Sequence, residues 1–243
     1  MPECAFCDHM GPLTLEHKIS KWIGKLFPGE KPSFYIGGTP HKERRFPAVA
    51  KNWKARVVCG TCNTGWMHKI EDDVKPLLKA LIASDIAIPI SASAARSLSI
   101  FAFKTAVVHN HADMRGKAFF SKRVRSAFRR RHFIPMCANI WICGVKEYMN
   151  GVQAMTTYYR SQVGTSQEFL TYVFTCGFGH VVLQVMAVEY AGRIELRSLE
   201  GFEDVAIQIW PESSTFIWPV RNTLGPNDFV AFANRWGHVR PIL

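Results

Sequence analysis

Carboxylates are scarce in this chain and unevenly spread. Its 243 residues carry 19 Asp and Glu against 30 Lys and Arg, a formal net charge of +11, and the stretch from Arg115 to His132 holds no acidic residue at all. A basic excess of this size suits a polyanionic partner, with plain solubility as the rival reading. Long apolar runs are also missing, which excludes a helical membrane span. The start, Met1-Pro2-Glu3-Cys4, is polar and lacks the basic-then-apolar layout of an export signal, so the chain is expected to be cytoplasmic. Neither an internal repeat nor a low-complexity tract is present, so each segment must be read by its own pattern. What remains is a globular composition, 48% apolar and 20% charged, with length enough for a substantial core.

Cysteine is sparse, and its spacing is informative. Four of the seven form two Cys-x-x-Cys knuckles, Cys4/Cys7 and Cys59/Cys62. In a reducing compartment this spacing reads as a metal site, and four thiolates make the closed tetrahedral kind that holds structural zinc. Two unrelated reduced pairs are the rival. Cys137, Cys143 and Cys176 lie in apolar surroundings and read as buried spectators.

The chain divides by texture into two units, 1–84 and 85–243, with an α+β class expected overall. In the first, Leu13–Ile19 reads as a short strand, and Phe27 to Pro47, rich in Gly, Pro and charge, reads as a loop. Lys54–Val58 reads as a strand entering the second knuckle. Beyond Gly65, Trp66, Ile70, Val74, Leu77, Leu78 and Leu81 recur at helical spacing, with Pro76 expected to kink the helix or divide it. In the second unit, helices are expected from Ser91 to His109 and from Lys117 to Arg131. A run of strands follows, at Ala138–Val145, Val152–Arg160, Phe169–Cys176 and Val181–Val188, forming a mostly antiparallel sheet. Two short strands and a last helix, Asp228 to Trp236, complete the pattern.

The knuckles bracket a Glu16–His17 pair, and Asn63 follows the last cysteine directly. The order Cys4-x-x-Cys7, Glu16-His17, Cys59-x-x-Cys62-Asn63 resembles the HNH endonucleases, in particular their zinc-stapled branch, which includes a phage junction-resolving enzyme. The phrase Cys62-Asn63-Thr64-Gly65-Trp66-Met67, with Ile70-Glu71 one turn on, resembles bacterial HNH proteins. The resemblance covers about residues 1–80. It implies a ββα-metal unit with zinc on Cys4, Cys7, Cys59 and Cys62. In it His17 is the general base, Glu16 and Asn63 hold a catalytic magnesium or manganese ion, and DNA is the substrate, with RNA left open. Glutamate stands where that family commonly has aspartate. For the family's middle asparagine, which would fix the histidine ring, the nearest counterpart is Asn52. Glu71 lies two helical turns beyond Asn63, so it either approaches the same ion or is a solvated carboxylate beside Asp72 and Asp73. The dull rivals are a chance surface pair for Glu16-His17 and simple turn chemistry for Asn63.

The acid-free stretch carries Lys122, Arg125, Arg129, Arg130 and Arg131. On a helix, Lys122, Arg125 and Arg129 share a face suited to tracking phosphates; a solvated basic face is the rival. Three functions follow as expectations. The first is a metal-dependent endonuclease in a restriction or phage-defence setting, cutting duplexes as a homodimer or by successive nicks. The second is a non-catalytic zinc-stapled nucleic-acid-binding module. The third is a protein-interaction module on a zinc scaffold.

Overall fold

The structure is a computed structural model, and it describes residues 1–30, 33–38, 44–47, 54–83, 87–112, 118–163, 167–189, 194–197, 201–211, 215–225, 227–235 and 238–241. The expected class holds: helices and mostly antiparallel strands, with the four knuckle cysteines clustered near the N-terminal end. Strand β1 (Thr14–His17) pairs antiparallel with β4 (Lys54–Val58), placing Glu16 opposite Ala55 and His17 opposite Lys54. Between them lie the short helix α1 (Lys21–Gly24) and strands β2 (Ser33–Gly38) and β3 (Arg44–Pro47). After β4, the single turn α2 (Gly60–Cys62) passes through a turn kinked at Gly65, Asn63–Met67, into helix α3 (His68–Ala83).

Strand β5 (Ile88–Ile90) leads into α4 (Ala92–Ala112), whose residues are buried almost without a break from Leu98 to Asn110. A helix covered on every side belongs inside a core rather than on its surface. Here α4 packs against α3, β4 and the main sheet. Helix α5 (Lys122–Arg131) starts at Ser121, whose hydroxyl accepts from the Val124 amide, and stops at His132 in the left-handed conformation. The main sheet is built on two long strands, β6 (Ala138–Val163) and β7 (Gln167–Val188), paired antiparallel. Strand β9 (Ala206–Trp210) joins the first part of β6, and β2 runs parallel to its later part. Strands β8 (Ile194–Arg197) and β12 (His238–Pro241) pair with each other, as do β5 and β10 (Phe216–Trp218). Strand β11 (Thr223–Leu224) and the short helix α6 (Phe229–Ala233) complete the chain.

Three local expectations need correction. The four strands expected between Ala138 and Val188 are two: Ala138–Val145 and Val152–Arg160 join in β6, and Phe169–Cys176 and Val181–Val188 join in β7, with the breaks taken up by register shifts from Gly144 to Val152. The loop expected from Phe27 to Pro47 contains β2 and β3, recruited by the open edge of β6 rather than by local preference. Helix α3 runs on through Pro76 without dividing. One buried apolar cluster reaches from Cys4 to Val220 and includes residues of the knuckles, α3, α4, α5 and the sheet.

The end of α3 sits directly on the sheet at Gly179, which has φ +59°. A Cβ there would lie 2.6 Å from Ile82 Cγ2 and 2.7 Å from the Ile82 carbonyl oxygen. Both the backbone conformation and the close approach call for glycine. Gly179→Ala is expected to destabilise the fold by more than about 2 kcal/mol. Urea unfolding of the two proteins measures this, and an unchanged midpoint would disprove the packing.

Candidate metal and active site

The four cysteine ligand atoms lie within 4.8 Å of one another. Cys7 Sγ is 3.7 Å from both Cys59 Sγ and Cys62 Sγ. Four sulfurs on a tetrahedral ion at about 2.3 Å stand about 3.8 Å apart, far beyond a disulfide bond, so the group fits a metal such as zinc. The Cys59 amide donates to Cys4 Sγ at 3.3 Å. Hydrogen bonding between the crowded thiols lowers Cys4 and pushes Cys62 up, so neighbouring sulfurs at this spacing do not ionise alike. Chelation is expected to abolish the cooperative unfolding transition, and thiol modification to release about one zinc per chain, measured with a metallochromic dye. A chain that never binds zinc would rule out this assignment.

Helix α5 braces the knuckle. Phe6, between Cys4 and Cys7, is fully buried against Trp66 and Phe128, with ring centroids at 5.0 and 6.4 Å. Arg125 Nε donates to the Ala5 carbonyl at 2.6 Å, and its Nη1 donates to the Phe120 carbonyl. The expectation that Arg125 faces phosphates is therefore corrected: it is buried, and Nε and Nη1 each donate to a backbone oxygen. Lys122 is exposed but paired with Glu3 and with Asp8, the latter at 2.7 Å. Arg129 is half-buried, and Arg130 and Arg131 are exposed at the helix C-terminus, where the helix dipole favours cations.

Beside the cysteine cluster, β1, α1 and α3 enclose a cleft of about 280 Å³. Its lining includes Glu16, His17, Asn63 and Glu71, so the four residues singled out from the sequence meet at one place. Neighbours on a strand point to opposite faces, and Leu15 is exposed while Glu16 is buried. His17 reaches the same cleft because it ends β1. Thr14 Oγ1 donates to the Val58 carbonyl at 3.0 Å, so toward Asn63 it can only accept. The Asn63 amide nitrogen meets it at 2.9 Å, which leaves the amide oxygen for the cleft. Asn63 also opens the turn Asn63–Met67, where the backbone leaves helical geometry at Gly65 (φ −93°, ψ −113°) before α3 begins. Asn52 lies outside the described residues.

The electrostatics of the cleft turn on a residue the sequence reading passed over. Lys104 of α4 is 2% exposed and stands 2.6 Å from Glu71 Oε1 and 4.0 Å from Glu16 Oε1. Its position three after Phe101 and four before Val108 puts a charge on an apolar helical face, the one signal that marks it in the sequence. Burial pushes Glu71 up, but the charge and hydrogen bond of Lys104 outweigh it and hold the carboxyl below its ordinary value. Glu71 is thus an ion-paired carboxylate rather than a freely solvated one. Glu16 is raised to about 7, chiefly by burial, with Lys104 opposing only in part. His17 is held below its ordinary 6.5 by burial and by Lys54 and Lys21, which keeps the ring neutral at neutral pH. Glu16, Glu71 and the Asn63 oxygen are hard donors that fit magnesium or manganese. Among the described residues, the cysteines alone form a tight group of three or more metal-binding His, Cys, Asp or Glu side chains.

No helix among the described residues is long and apolar enough to cross a membrane. Compared with known protein families, with curated proteins and with solved structures, the chain matches none.

The Glu16 shift has a direct thermodynamic consequence. A carboxyl whose folded pKa lies above its unfolded one binds extra proton in the folded state between the two. Its ionisation therefore costs nothing below its ordinary 4.5, and stability falls as pH rises to about 7. Glu16→Gln is expected to stabilise the zinc-loaded protein at pH 8 by on the order of 1–3 kcal/mol, with little gain near pH 4.5. Denaturation of both proteins across that range tests it, and a gain independent of pH would contradict the assignment.

Proposed function

We propose that the chain is a metal-dependent endonuclease of the HNH kind that hydrolyses DNA phosphodiester bonds in the cleft between β1, α1 and α3. The observation that carries this reading is the meeting of an imidazole, two carboxylates and an amide oxygen beside a four-cysteine cluster. They sit on an antiparallel strand pair that feeds a helix, the ββα order that the sequence resemblance implies. A chance surface pair has no reason to bury Glu16, nor to gather Asn63 and Glu71 around it.

His17, neutral at working pH, takes the proton of the attacking water. Glu16, Asn63 and Glu71 are the residues that would hold a magnesium or manganese ion, which supplies charge to the scissile phosphate and to the departing 3′ oxygen. Lys21, Lys25 and Lys75 line the same cleft and draw in the phosphate backbone. These lysines take over much of the role first expected of α5, whose Arg125 and Lys122 are engaged with the knuckle. The site needs no nucleophilic side chain, so hydrolysis proceeds without a covalent intermediate. A restriction or phage-defence setting agrees with a basic nuclease and rests on the resemblance.

A second reading, a non-catalytic zinc-stapled nucleic-acid-binding module, is favoured by one observation: Lys104 already neutralises a carboxylate that an ion would need. A plasmid-nicking assay with zinc-loaded protein and added magnesium or manganese separates the two. Wild-type protein is expected to nick only with the added ion, and His17→Ala to lose at least about 100-fold in rate. Intact DNA binding with no cleavage of plain, modified or branched substrates would select the binding module. Equal cleavage by both proteins would remove His17 from the mechanism.

A further inference from the structure

Behind the two carboxylates of the cleft lies a charge that the proposed chemistry does not use. Lys104 is not part of the cleft lining, yet its ammonium touches Glu71 and approaches Glu16, both of which are. It reaches them from α4, a helix outside the strand–strand–helix unit that carries the other site residues. The ammonium also stands 5.4 Å from the centroid of the Phe101 ring. Burying it among apolar side chains is costly unless carboxylates hold it, and these two do.

The distances divide the two contacts by kind. At 2.6 Å, Lys104 donates a hydrogen bond to Glu71 Oε1 and commits that oxygen. At 4.0 Å it acts on Glu16 by charge alone. A cation arriving from solvent thus meets two carboxylates with an ammonium fixed behind them, and its attraction is weaker than the carboxylates alone would give.

We propose that Lys104 is a positioning residue, a fixed charge that aims Glu16 and Glu71 into the cleft and limits how tightly the cleft holds a divalent cation. The inference rests on the nuclease reading of the cleft. It sets Lys104 apart from an ordinary buried ion pair, whose removal costs stability and leaves ion affinity alone. It also places part of the cleft's control in α4, beyond the first 84 residues.

The test is manganese binding, followed by electron paramagnetic resonance on full-length, zinc-loaded protein. Lys104→Met is expected to tighten manganese binding on the order of tenfold, and Lys104→Arg to remain within about threefold of wild type. Should Lys104→Met fail to fold, Glu71→Gln is compared with the Lys104→Met/Glu71→Gln double variant, which buries no unpaired ammonium. The double variant is expected to bind manganese about tenfold more tightly than Glu71→Gln. Glu16→Gln separates the two levels of the argument. Binding that requires Glu16 but is the same in both lysine comparisons overturns this inference alone. Binding indifferent to Glu16→Gln, or absent from every variant, overturns the cleft's metal reading and this inference with it.

Discussion

The convergence of four cysteines from two distant segments is the constraint on which the rest of the site depends. Cys4 and Cys7 reach Cys59 and Cys62 across more than fifty residues of intervening chain. That closure lays β1 alongside β4 and starts α3 a few residues after the last cysteine. Glu16 and His17 ride on β1, Asn63 follows the last cysteine, and Glu71 comes with α3. Their meeting is a consequence of the closure. A metal such as zinc is suited to hold it because so short a segment, with a long intervening excursion, has little apolar area of its own to bury.

The knuckle is also anchored from outside. Phe6, Trp66 and Phe128 form a three-ring cluster, and Arg125 caps the Ala5 carbonyl, so α5 grips the loop that bears the first two sulfurs. Helix α4 does the same for the cleft through Lys104. Both braces are charged residues whose partners lie on the N-terminal segment. In each case burial turns a surface-type side chain into a specific tie, since an unpaired charge there would be intolerable.

The balance of charge in the cleft follows from where Lys104 places its hydrogen bond. Glu16 and Glu71 are chemically alike and share one ammonium, yet they shift in opposite directions because Lys104 hydrogen-bonds only the second. Burial, helped by Lys54 and Lys21, keeps His17 neutral, and the lysines at the rim leave the opening attractive to anions. An acceptor imidazole, hard oxygen donors and a basic mouth thus occupy a single cleft.

Much of this was legible in the residues alone. Cysteine spacing announces a metal site because thiolate geometry tolerates few spacings, and period-3.6 apolar residues announce α3 and α4 because one turn of helix repeats locally. Glu16, His17, Asn63 and Glu71 stood out by their order around the knuckles. The tertiary structure alone decided the rest. Whether Arg125 meets phosphate or a carbonyl, whether Phe27 to Pro47 is loop or strand, and whether Lys104 is a stray cation or a partner of two carboxylates all depend on which distant segment packs against them. No local pattern carries that information: a helix face or strand edge specifies that it will be covered, and the long-range closure of the chain specifies by what.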